Sequence, residues 1–389
     1  MGAEKGPFSL YVHIPYCAAK CPYCDFNVHV VATIPEREYC AALLRELQFY
    51  AQSEPWRGRE LKSVFFGGGT PSLFAPRSIF GLLEAAAALF GFTGDIEITL
   101  EANPGADDRK NFSGYRSCGV NRLSLGAQSF QPHLLKFLGR LHSADETCEA
   151  LSAIRRAGFE NFSLDLIYGS PGQSLTDLQA DLAQSLSFAP PHLSAYNLTI
   201  EEGTPFQRQL RAGAIRPLPE DEEIAMAELI EETLSDGGLA RYEISNYAKP
   251  GRQSTHNGVY WQGGDYLGIG AGAHSYTSAE RNGVFGYRWH DEKNPARYMA
   301  MVKQKGTAAV ESERLDCAQA AAEFMFMGLR MMRGVSTERF FRRFGKKPVE
   351  FYPQVAAWTE EGLMEHEEGR LRLTRRGLMV ANEIFVAFI

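Results

Sequence analysis

Short β-like runs that alternate with helical stretches dominate the first half of this chain. They are Phe8–Ile14, Ser63–Phe66, Ile96–Glu101, Arg122–Gly126, Asn161–Tyr168 and His192–Leu198. Between the first two, Arg37–Tyr50 puts Leu43, Leu44, Leu47 and Tyr50 on one helical stripe, with Pro35 suited to its first turn. Ser143 and Glu146 have capping-box spacing at the head of a helix expected to run to Gly158. Repeated βα units predict an α/β fold with a parallel sheet and right-handed crossovers. Periodicity alone leaves an incomplete barrel and an open doubly wound sheet as alternatives.

Beyond Glu201 the rhythm changes. Pro217 to Gly238 reads as an acidic helix, followed by Tyr242–Tyr247 and a glycine-rich stretch from Gly263 to Gly272. From about Leu315 the pattern is a helix through Arg330, a second at Thr337–Phe344 and a third over Phe351–Leu363. A β ribbon at Arg370–Thr374 and a last helix follow, which predicts a helical, winged-helix-like domain. That shape invites a DNA-binding reading, but residues 311–389 hold 12 basic and 12 acidic side chains. A packing role is therefore expected. The predicted organisation is a sheet domain at 1–206, a bridging region at 207–310 and the C-terminal domain at 311–389.

Charge and composition exclude several classes. With 40 Lys and Arg against 47 Asp and Glu, the net charge is −7, which argues against bulk nucleic-acid binding. No run approaches the apolar length of a membrane span, and the apolar tail Leu378–Ile389 is interrupted by Asn382 and Glu383. No secretory or myristoylation signal is read at the N-terminus, so a cytoplasmic location is expected. The 7 cysteines are an odd number, which argues against a disulfide framework. Cys40, Cys118, Cys148 and Cys317 are scattered and read as packing residues.

Cys17, Cys21 and Cys24 are different, because they share one loop directly after the first β run. The segment Tyr11-Val-His-Ile-Pro-Tyr-Cys17-Ala-Ala-Lys-Cys21-Pro-Tyr23-Cys24 has C-x3-C-x2-C spacing, and Pro15 and Pro22 keep it from becoming a helix. Three thiolates on one loop suit three irons of a 4Fe–4S cluster, the fourth iron being open to an exchangeable ligand. A zinc knuckle is the alternative, with His13 or His29 completing the ligand set.

This spacing at the end of a first βα strand resembles the radical S-adenosylmethionine (SAM) superfamily. The resemblance implies a partial (βα)6 TIM-like barrel, SAM at the open iron, and reductive cleavage of its sulfonium to a deoxyadenosyl radical. The protein's part would be positioning and solvent exclusion. Other segments fit. Gly67-Gly68-Gly69-Thr70-Pro71-Ser72 follows the second run and lacks the lysine of a phosphate loop. Glu101, Gln128, Arg140 and Asp165 lie at or near the ends of later strands, where barrels of this kind place their sites. By chemistry Arg140 suits the methionine carboxylate, Gln128 and Asp165 the ribose hydroxyls, and Glu101 the ammonium or a hydroxyl. Tyr11, Tyr23, Gly68, Gly69 and Thr70 complete the expected SAM contacts. Asp165, set in an apolar strand, requires a hydrogen-bond partner.

The motif string is similar to oxygen-independent coproporphyrinogen III dehydrogenase and its relatives over nearly the whole chain. Two departures, Phe26 in place of a further cysteine and only 16 residues before Cys17, point to the HemW-type haem chaperones. His256-Asn-Gly-Val-Tyr-Trp261 matches the H-N-x-x-Y-W motif of that branch, which implies His256 as a haem contact, with His274 as a second candidate. The expectation is a 4Fe–4S, SAM and haem-binding protein that passes haem to an acceptor protein, as a monomer or a cluster-dependent dimer. The dehydrogenase activity and a zinc-binding, non-redox module are the alternatives.

Overall fold

The computed structural model describes residues 6–278 and 283–389. Its centre is a run of parallel strands, β1 (Phe8–Ile14), β2 (Leu61–Gly68), β3 (Phe92–Ala102), β4 (Arg122–Gln128), β5 (Asn161–Tyr168) and β6 (His192–Asn197), paired in sequence order. Each connection between them contains helix, including Glu36–Ala51, Pro76–Phe90, Ala144–Arg156 and Leu175–Ser187. The strands fall where the alternation predicts, although β2, β3 and β4 run longer. Ser143 and Glu146 form the expected capping box. Pro35 stands at the N-cap of its helix, one position before the first turn.

The bridging residues are not a separate layer. A hairpin of β7 (Ala240–Glu243) and β8 (Asn246–Ala248) pairs antiparallel with β6. The chain then passes through the helix Thr255–Trp261 to the other side of the sheet. There β9 (Tyr266–Ile269) lies parallel to β1. Beyond it come β10 (His274–Thr277), β11 (Gly286–Asp291) and β12 (Ala309–Leu315), all antiparallel. The result is a 12-stranded sheet whose edges are β12 and β7, so it does not close into a barrel. The acidic helix is shorter than predicted, at Glu220–Asp236. Strands β9 and β10 escape periodicity because they are only 4 residues long and separated by glycine.

Helix Glu36–Ala51 ties this added sheet to the centre. Its buried Glu46 accepts from Gly270 N at 3.1 Å, Ala308 N at 3.2 Å and the Tyr298 hydroxyl at 2.6 Å. Burial pushes the Glu46 carboxyl up to about 7. Tyr39 on the same helix donates to His13 O and accepts from Ala271 N.

The C-terminal unit has its own apolar core, including Phe324, Met325, Phe340, Phe344, Val355, Leu371 and Ile384. Helices Cys317–Gly328, Thr337–Phe344 and Gln354–Glu360 pack with a small sheet of β13 (Val335–Ser336), β14 (Met364–Glu367) and β15 (Arg370–Leu373). This is the expected helical, winged arrangement, with the third helix split by Pro353. Among the described residues no helix is long and apolar enough to cross a membrane.

Candidate functional site

A cavity of about 750 Å³ opens at the C-terminal ends of the central strands. Cys17, Cys21 and Cys24 line it, together with Tyr11, Tyr23, Gly68, Gly69, Thr70, Glu101, Gln128, Arg140, Asp165 and His256. The cysteine loop leaves β1 and closes on itself: His29 N donates to Pro15 O at 2.6 Å and Cys17 N to His29 O at 3.1 Å. Asn27 then pins it to the added sheet, its Nδ2 donating to Ala271 O at 2.8 Å and Lys293 O at 2.9 Å. His13 is spent on this scaffold, with Nδ1 on the Tyr11 hydroxyl and Nε2 on Asn27 O, so it is not a free zinc ligand. Among the described residues no three His, Cys, Asp or Glu side chains converge as on a single metal ion.

The thiols are linked through a polar chain. The Thr70 hydroxyl donates to Cys17 Sγ at 3.5 Å, and Asn103 Nδ2 donates to Thr70 Oγ1 at 3.0 Å. Arg140 Nη2 bonds Asn103 Oδ1 and Gly126 O, while its Nη1 reaches Cys21 Sγ at 3.5 Å. Burial pushes the Cys17 and Cys24 thiols up, and the Arg140 charge acts on Cys17 in the opposite sense. Asn103 lies two residues after Glu101, and no local pattern singles it out.

Two glycines are required by close approach. A Cβ on Gly69 would stand 2.5 Å from Tyr16 O and 2.8 Å from Ile14 O. Gly69 N donates to Ile14 O and Thr70 N to Tyr16 O, both at 2.8 Å, so the segment lies flat on the root of the cysteine loop. Gly139, at φ +67°, would drive a Cβ to 2.6 Å from Pro22 Cδ. Its smallness brings Arg140 alongside Cys21.

The remaining polar residues ring the cavity. Glu101 accepts from Gly68 N at 3.1 Å, and burial, then the Asp165 charge, pushes it up to about 8. Asp165 has the partners its setting required, the Ser124 and Ser163 hydroxyls at 2.8 Å each. Gln128 sits at a register shift between β4 and β5 with φ +66°. Tyr23 packs near Phe206, and burial raises its phenol.

His256 lies deeper. Its ring faces Ser63, five residues before Gly68 on the same strand, roughly 16 Å along it. Nδ1 bonds Ser63 Oγ at 2.9 Å, Nε2 bonds the Tyr260 hydroxyl at 2.8 Å, and Glu97 accepts from its backbone N–H. The residue is 1% exposed and burial lowers its pKa to about 3. Ligation of haem iron by this ring requires breaking one of those bonds, so its position favours the structural role. His274 lies outside the cavity, beside His290 at 5.2 Å between ring centroids. The exposed lining residues are mixed: Phe26 is 64% and Leu141 75% exposed, beside the charged Lys20, Asp25, Asp107 and Glu201.

Comparison with known proteins adds a second line. The Radical SAM superfamily matches residues 11–184 and the HemN C-terminal domain residues 315–380. The chain is 37% identical to "Heme chaperone HemW" of Haemophilus influenzae over 98% of each chain, and 36% identical to its Escherichia coli namesake over the same shares. It is 36% identical to the mitochondrial radical S-adenosyl methionine domain-containing protein 1 of Bos taurus, over 95% of this chain and 83% of that one. Among solved structures, coproporphyrinogen III oxidase (HemN) from Escherichia coli, a radical SAM enzyme, superposes with a TM-score of 0.82. That match covers 99% of this chain and 90% of the other at 22% identity, and it shows a shared fold.

Proposed function

From the premise that this chain belongs to the HemW family of radical SAM proteins, we propose that it is a haem chaperone holding a 4Fe–4S cluster and SAM. One observation carries the reading: the three cysteines and the whole expected SAM set line a single cavity, though they come from separate strands and loops. Soft sulfur donors on one loop, with a guanidinium against one of them, suit an iron–sulfur cluster. Cys17, Cys21 and Cys24 would hold the cluster, and Arg140, Glu101, Gln128 and Asp165 would orient SAM. When bound, the reduced cluster supplies an electron to the SAM sulfonium. The chain's own residues exclude water around that pair and fix the loop through Thr70, Asn103 and Asn27.

Haem is assigned to the mouth of the cavity. Phe26 and Leu141 present exposed apolar surface there, suited to a porphyrin face, among charged side chains. Transfer to an acceptor protein follows naturally from a ligand held at an exposed rim. The test is anaerobic reconstitution followed by haem titration with and without SAM. About four irons per chain are expected, with a shifted Soret band that Phe26→Ser and Leu141→Ser weaken. No stable haem complex overturns the chaperone reading, and anaerobic decarboxylation of coproporphyrinogen by the same preparation replaces it with the dehydrogenase.

A further inference from the structure

A second cavity, about 170 Å³, lies where the end of the helix Thr255–Trp261 meets the C-terminal unit. Arg333, Arg339 and Arg370 line it with Trp261 and Ser336, and none of its lining residues is acidic. Its guanidiniums are fixed by neutral groups. Arg370 donates from Nε to Arg333 O at 2.6 Å and from Nη2 to Gly334 O at 2.7 Å. Arg339 donates from Nη2 to Gln262 O at 3.2 Å. Carbonyls orient these forks without neutralising them. Arg342 and Arg343 add further positive charge beside Arg339; of these, Arg342 pairs with Glu338, while Arg343 bonds the Tyr276 hydroxyl and Phe285 O. Burial lowers the pKa of Arg339, and four neighbouring guanidiniums lower it further.

The backbone adds to this field. Ser336 caps the helix Thr337–Phe344, whose positive end therefore borders the same space. Converging donors, uncompensated charge and no carboxylate define an oxyanion receptor. The volume of about 170 Å³ admits a single phosphate group.

We propose that this cavity binds a phosphate-class oxyanion, inorganic phosphate or the phosphate of a small monoester, on Arg339 and Arg370. Such an anion bridges the helix that carries His256 to the C-terminal unit, and so fastens the floor of the large cavity. The experiment uses the full chain, with inorganic phosphate titrated against chloride at constant ionic strength. Calorimetry reads binding and thermal denaturation reads the Tm. A saturable heat and a rising Tm specific to phosphate are expected. Arg339→Gln and Arg370→Gln each weaken binding about tenfold, the loss expected for a charge-assisted contact, with an unchanged circular dichroism spectrum. Tighter binding of glycerol phosphate than of phosphate marks a monoester as the source, and weaker binding marks the free ion. No saturable phosphate binding, or binding indifferent to both arginine substitutions, overturns the proposal.

Discussion

Glu101 shows how much a single side chain depends on its surroundings. An exposed glutamate is ionised at neutral pH, whereas burial and the neighbouring Asp165 charge push this one up to about 8. The folded chain therefore binds more protons than the unfolded chain between about pH 4.5 and 8, and Glu101 makes stability fall as pH rises through that window. An ammonium group brought against it reverses the preference and expels the proton. SAM binding to the reconstituted protein is thus expected to release close to one proton at pH 7, and progressively less above pH 8. Calorimetry in buffers of different ionisation heat reads this, and heats that do not depend on the buffer would discard the assignment. Glu101→Gln should abolish the release. The residue's place at a strand end was legible in the sequence. Its charge state was not, because that depends on how much water the assembled cavity excludes.

At the scale of elements, the turn after β4 is the informative one. Gln128 adopts φ +66°, a left-handed conformation that costs a non-glycine residue roughly 1–2 kcal/mol. The strain is held from outside by Asp181, buried on the helix Leu175–Ser187. It accepts from the Ser129 hydroxyl at 2.6 Å, from Phe130 N at 2.8 Å and from Gln131 Nε2 at 3.0 Å. Asp181→Ala leaves those donors unmet and is expected to cost about 3 kcal/mol in urea unfolding, with a parallel loss of SAM affinity. Asp181→Asn, which keeps part of the network, should lose less. Equal midpoints for all three proteins would show that the turn holds itself. The sequence marked Gln128 by its place after a strand, but Asp181 lies about 50 residues further on and no local pattern joins them.

For the whole molecule, the decisive contact joins the first loop to the bridging region. Asn27 reaches Ala271 and Lys293, more than 240 residues away, and Tyr39 and Glu46 brace the same segment from behind. Asn27→Ala is expected to leave the core folded yet loosen the cysteine loop. Exposed Lys20 should then be cut by trypsin several-fold faster in the cluster-free protein, with little change in Tm. A cleavage rate equal to that of the unsubstituted chain would show that the loop's own hydrogen bonds suffice. The C-terminal unit gives the same lesson in charge: its 12 basic and 12 acidic residues balance overall, but folding gathers arginines around one cavity and leaves acids elsewhere.

The βα order, the winged C-terminal unit, the cysteine loop and the residues at strand ends are all legible in the chain's local patterns. Each is written in neighbouring residues, through periods of 2 and 3.6, capping pairs, glycine clusters and cysteine spacing. Long-range folding alone makes the bridging residues extend both edges of one open sheet, brings Asn103, Asn27 and Asp181 to support the site, and occupies both nitrogens of His256. Those outcomes rest on contacts between distant segments. Packing selects them by excluding water and satisfying buried polar groups, and no local pattern encodes that.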